Sequence, residues 1–160
     1  DAGLLDVAVA EHELDMNDLQ EAEHARDQAY RARTQAEADD AERWAPKDWA
    51  LAEQGLAEGE AALASDADGA LLDAYDAFRR SVSDFEFARS QASLGFLAVQ
   101  AGETLEEAID KSFTTAELSE YGGEPYAEMR DLQSRGREHL ASGSYYDALD
   151  TFEIGLLRLE

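Results

Sequence analysis

Apolar side chains recur along most of this chain at intervals of three and four, the period of an amphipathic helix. In the first segment alanines fall at 22, 25, 29, 32 and 36. That spacing predicts a helix from about Leu4 to Trp44, with a narrow seam of small side chains that lets another helix approach closely. Asn17 and Gln20 have capping-box spacing, so two helices broken near Asp15 to Asp18 remain an alternative. Pro46 favours a fresh start, since proline suits the first turn of a helix. From there Trp49, Ala52, Leu56, Gly59 and Leu63 form a second stripe, and SDADG at 65–69 reads as a turn.

A long helix is expected next, with Leu71, Tyr75, Phe78, Val82, Phe85, Ala92, Phe96 and Val99 on one face. Its second half adds Phe87, Leu94 and Leu97 on other faces, which predicts cover on more than one side and a helix joining the two halves of the domain. Gly102 and Thr104 read as a restart, because Thr104 and Glu107 have capping-box spacing ahead of Leu105, Ala108, Ile109, Phe113 and Ala116. YGGEP, 121–125, is the clearest break. A helix from Pro125 to about Ala141 and a Ser-Gly-Ser turn then lead to a last helix carrying Tyr145, Ala148, Phe152, Leu156 and Leu159.

One local pattern occurs twice. SYYDALDTFE, 144–153, aligns without gaps on ALLDAYDAFR, 70–79. Displaced by 77 residues, the preceding stripe also matches: Trp49/Tyr126, Ala52/Met129, Gly59/Gly136 and Leu63/Leu140, with Leu56/Gln133 breaking the series. The displacement falls to 74 at the second helices because the first turn is three residues longer. The repeated object is therefore a whole helical hairpin. The expected fold is all-α, with antiparallel helical hairpins behind a long N-terminal helix. The chain reads as a single domain, 1–160, divided into 1–44, a first hairpin 45–101, a connecting helix 102–122 and a second hairpin 123–160.

Composition narrows the core. Of the 160 residues, 44% are hydrophobic, but 30 of these are alanine, so close backbones rather than bulky side chains must fill the interior. Ala, Leu, Glu, Gln and Arg favour helix, and only two prolines interrupt. With no cysteine, disulfides, thiolate zinc sites and cysteine nucleophiles are excluded. No run of 18 apolar residues occurs, so no direct membrane insertion is expected. Asp plus Glu number 37 against 13 Lys plus Arg, a formal charge of -24. Nucleic acid and anionic membranes are poor partners for such a surface, whereas a basic protein suits it.

The second hairpin resembles a tetratricopeptide (TPR) repeat through Gly136, Gly143, Tyr145, Ala148, Phe152 and Gly155. The first supplies Gly59, Gly69, Ala74, Phe78 and Ser81, with Leu71 at the aromatic position. Neither copy has the family's early tryptophan, and the two are not in tandem. The stretch ERWAPKDWALAEQGLAEGEAALASDADGALLDAYDAFRRS is similar to alanine-rich helical modules of bacterial envelope lipoproteins, a likeness covering residues 42 to 90. That resemblance implies a periplasmic or cell-envelope setting. The TPR resemblance implies a groove lined by Glu53 and Glu60 in the first copy and by Arg130, Gln133 and Arg137 in the second, acidic at one end and basic at the other. Trp44 and Trp49, flanking Pro46, are a further candidate contact, as a ligand-facing pair or as junction packing.

Catalytic and metal signatures are absent from the sequence. Glu21-x-x-His24 has di-iron spacing, but the second motif and the extra glutamates are missing. Asp66-Ala-Asp68-Gly69 lacks the first and last carboxylates of a calcium loop, having Ala64 and Tyr75 there. No phosphate-binding glycine loop or serine elbow occurs. The sequence therefore points to a non-enzymatic protein-interaction or scaffold domain without metal or cofactor. The alternative is an extracytoplasmic module holding a small cationic or aromatic ligand between helices.

Salt tests the charge argument. Screening acts over a Debye length of about 8 Å at physiological ionic strength, so the denaturation midpoint is expected to rise between low and high sodium chloride. A flat midpoint would mean that the carboxylates are already neutralised.

Overall fold

The computed structural model describes residues 2–113 and 123–159, with side chains from Met16 onward. Among the described residues there are six helices and no strand: α1 (Ala2–Ala38), α2 (Ala41–Trp44), α3 (Pro46–Leu63), α4 (Ala70–Ser112), α5 (Glu124–Ala141) and α6 (Tyr145–Leu157). The class is all-α. The chain divides into two compact units, Asp1–Arg89 and Ser90–Glu160, and the boundary lies inside α4. Ala116 and the start of the YGGEP stretch lie outside the described residues.

The helix expected to reach Trp44 stops at Ala38. Asp40 takes the left-handed conformation, φ 57 and ψ 34, which aspartate tolerates better than most residues. Arg89 pins this end from α4. Its Nε donates to Asp39 Oδ2 at 2.6 Å and its Nη1 to Gln35 Oε1 at 3.1 Å. Pro46 opens α3 as expected, where its missing N–H leaves no helix bond unmade.

The restart expected at Gly102 and Thr104 does not occur, because α4 runs through both. Thr104 does not cap a new helix; its Oγ1 donates back to the Gln100 carbonyl at 2.9 Å, a bond made inside a continuing helix. Gly102 has a tertiary reason instead. A Cβ there would lie 3.0 Å from the Phe152 ring. The cover expected over several faces of α4 is also incomplete. Phe87, Phe96 and Leu97 are exposed, while the small Ala88, Ala92 and Ala98 are fully buried.

In the first unit, the alanine seam of α1 is buried along its length. Ala22, Ala25 and Ala29 meet Leu56 of α3 and Ala74 and Phe78 of α4 in one core. Phe78 lies over Gly59, 2.5 Å from the position of an added Cβ. Nearby, Ser81 Oγ donates to the Ala52 carbonyl at 2.8 Å, so the one buried hydroxyl of this contact is satisfied. In the second unit, Phe152 of α6 packs over Gly136 of α5 and beside Gly102 of α4. Leu105, Ile109, Met129, Leu132 and Ala148 complete that core. The turns entering α4 and α6 each contain a glycine at positive φ, Gly69 at 80° and Gly143 at 79°.

Alanine is the better helix former by about 1 kcal/mol, yet Gly59→Ala and Gly136→Ala are expected to destabilise by about 1–3 kcal/mol through overpacking against fully buried rings. Phe78→Ala and Phe152→Ala should each cost about 3–5 kcal/mol. In Gly136→Ala/Phe152→Leu the two costs should be less than additive, because the smaller side chain accommodates the methyl group. Urea titrations check all five variants, and a Gly136→Ala chain as stable as wild type would refute the contact.

Candidate interaction surfaces

The residues picked out by the groove argument are engaged within the chain. Glu53, half-exposed on α3, accepts from Arg33 Nε of α1 at 2.5 Å. The Arg33 guanidinium lies 5.5 Å from the centre of the Trp49 ring and 3.6 Å from Glu37. Hydrogen bonding to Glu53, foremost among its surroundings, holds it above its ordinary range. Glu60 lies beside Tyr30 of α1, whose hydroxyl is pushed up first by burial and then by that carboxylate. α1 therefore lies along the face of α3 that carries Glu53 and Glu60.

The second unit repeats the arrangement. Arg130 of α5 bonds Asp110 of α4 at 3.0 Å, the Tyr126 hydroxyl at 2.9 Å and Gln133 Oε1 at 2.8 Å. Its guanidinium sits 5.1 Å from the Tyr126 ring centre, and hydrogen bonding to Tyr126 is the largest cause of its raised pKa. Arg137 reaches Glu106 of α4 at 3.0 Å. Gln133 is 3% exposed, and its Nε2 has no hydrogen-bond partner among the described residues. Its counterpart in the first unit is the buried Leu56.

Both clusters are an aromatic ring, a guanidinium over it and a carboxylate from a facing helix, at positions displaced by 77 residues: Trp49/Tyr126, Arg33/Asp110 and Glu53/Arg130. The signs are exchanged. Sequence reasoning stopped at the hairpins and missed Arg33, Asp110 and Glu106. The same displacement applied to charges upstream of each hairpin would have found the first two.

The two tryptophans part company. Trp49 is 8% exposed and meets Phe85 edge-on, with ring centres 5.1 Å apart. It packs the interior of the first unit. Trp44 ends α2, half-buried, with the Arg43 guanidinium 5.3 Å from its ring centre. Glu21 and His24 do not converge on a common point: Asn17 Nδ2 donates to Glu21 and His24 Nε2 pairs with Gln28. Among the described residues, no group of three or more His, Cys, Asp or Glu could hold a metal ion.

Hollows of ligand size occur among the described residues of the first unit. One, about 660 Å³, lies along α3 and α4, where Glu58 and Arg80 pair at 3.4 Å. Another, about 510 Å³, is formed where the 65–69 turn meets α1. Met16, Leu19, Leu63, Leu71 and Leu72 supply apolar walls, and Asp18, Asp66 and Asp68 supply carboxylates. None of these three forms an ion pair among the described residues. No known protein family, curated protein or solved structure matches the chain.

Asp84 provides a pH handle. Burial raises its carboxyl above the ordinary value, Arg80 opposes this, and Asp48 adds to it. An acid raised in the folded state contributes stability that is present below its unfolded pKa and is lost as pH rises through the folded one. Asp84→Asn is therefore expected to raise the thermal midpoint at neutral pH, and the gain should shrink below about pH 4, where the wild-type carboxyl is protonated. Melts across pH 3–8 test the sign.

Proposed function

We propose that the chain is a non-enzymatic scaffold of TPR-like antiparallel helical hairpins, α3 with the start of α4 and α5 with α6, that binds a protein partner through a basic, partly apolar segment. Turns through Gly69 and Gly143 and ring-over-glycine contacts in both pairs support the hairpin reading. The long helix α1 lies against the first pair. The groove positions Glu53, Glu60, Arg130, Gln133 and Arg137 have intramolecular neighbours, so the contact surface is sought elsewhere.

One observation carries the choice of partner. The hollow bounded by Met16, Leu19, Leu63, Leu71 and Leu72 holds the carboxylates of Asp18, Asp66 and Asp68, none of which pairs with a cation among the described residues. Apolar walls suit an aliphatic or aromatic side chain, and the carboxylates suit a neighbouring lysine or arginine. The likeness of residues 42 to 90 to envelope lipoprotein modules supports a periplasmic or cell-envelope setting. A second reading, a small cationic or aromatic ligand, draws on the same hollow, whose volume of about 510 Å³ lies within the range of small-molecule sites.

A displayed library of linear peptides, selected on the wild-type chain and counter-selected on Asp18→Asn/Asp66→Asn/Asp68→Asn, separates these readings. The scaffold reading expects enrichment of peptides with Lys or Arg beside a large apolar residue. It also expects slower association and weaker salt dependence with the triple variant. Failure to enrich, or equal binding to both chains, overturns it. A thermal shift with aromatic amines in the absence of peptide binding favours the second reading.

A further inference from the structure

The two units share one contact where their helices cross. Phe78 over Gly59 corresponds to Phe152 over Gly136; Phe78 shares its core with Ala22, Ala25 and Ala29 of α1, and Phe152 lies beside Gly102 of α4. Size distinguishes α1, which buries alanines, from the C-terminal part of α4, which buries Leu105 and Ile109. Charge distinguishes them a second time. In the first unit the preceding helix carries the cation, Arg33, and the facing helix the anion, Glu53. In the second, the preceding helix carries the anions, Asp110 and Glu106, and the facing helix the cations, Arg130 and Arg137.

We propose that this inversion makes each pair of helices accept its own preceding helix and refuse the other, within the chain and between copies of it. Set on α5, α1 would bring Arg33 to Arg130. Set on α3, α4 would bring Asp110 to Glu53 and Glu106 to the neighbourhood of Glu60. Juxtaposed like charges exclude a wrong partner even where shape permits it. The charges are placed to act: Arg33, Glu53 and Arg130 are only 34%, 36% and 35% exposed, and both guanidinium groups are held over a ring. Exchange of equivalent elements is the characteristic misassembly of chains built from repeated parts, and it is what such a code prevents.

The test uses the full chain in three forms: wild type, Arg33→Glu/Glu53→Arg, and Arg33→Glu/Glu53→Arg/Asp110→Arg/Arg130→Glu. The double variant keeps an ion pair in each unit but gives both units the same polarity. The quadruple variant restores opposite polarity between the Arg33/Glu53 and Asp110/Arg130 pairs, with the sign of each reversed and Glu106 and Arg137 left unchanged. Each is unfolded in guanidinium, refolded at high protein concentration, and analysed by size-exclusion chromatography with light scattering and by circular dichroism. The double variant is expected to give a several-fold larger fraction of exchanged oligomer or misfolded chain than wild type, and the quadruple variant to return to the wild-type distribution. A double variant that refolds like wild type overturns the proposal. So does a quadruple variant that fails to recover, whether or not the double variant folds, because loss of local contacts would then account for the result.

Discussion

With 30 alanines and few large apolar side chains, helices of this chain bury enough surface only if their backbones come close. A phenyl ring lying where a Cβ would stand brings this about. Phe78 over Gly59 and Phe152 over Gly136 set the crossings of their helix pairs, and the alanine seam of α1 and Gly102 of α4 close over the same two rings. The other features depend on that spacing. It brings Ser81 within reach of a carbonyl on α3, and it brings Arg33 and Arg130 within reach of carboxylates on facing helices. Two further glycines meet larger neighbours, Gly55 of α3 against Ser81 of α4 and Gly155 of α6 against Leu105 of α4. The volume of one side chain is thus balanced by the absence of another.

Periodicity made the helical class and the buried alanines legible, because both are written at local spacing. The glycine–phenylalanine pairs were legible through repetition, since two copies at one displacement mark positions that a single copy would not. What escaped was tertiary. Gly102 looked like a break because glycine weakens an isolated helix, and nothing near it in sequence announces the ring of Phe152 fifty residues on. Phe87, Phe96 and Leu97 looked covered because they are large, yet among the described residues they are exposed while the small Ala88, Ala92 and Ala98 are buried. Asp39 and Asp40 ended α1 early through a left-handed aspartate and a contact from Arg89, both invisible to a periodic pattern. Glu53 and Arg130 read as groove positions because an ion pair spanning twenty residues has no local signature.

The acidity of the chain is unevenly compensated. At the helix interfaces the arginines are drawn into pairs with carboxylates, aromatic rings or both, so the cations serve packing. At the end of the first unit Asp18, Asp66 and Asp68 border apolar walls and form no ion pair among the described residues. Gln133, at a position where the first unit has leucine, supplies in its Oε1 an acceptor for Arg130.

The unit boundary lies within α4 rather than in a loop, and this has a kinetic consequence. Starting a helix is slow and unfavourable because several backbone angles must be fixed before the first hydrogen bond is gained, whereas lengthening one adds a bond for each residue fixed. A chain whose units were joined by a loop would have to start a helix on each side of it. Here, once residues 70–89 are helical, 90–112 can follow by elongation, and the reverse holds equally. Whichever unit orders first hands the other a helix already begun.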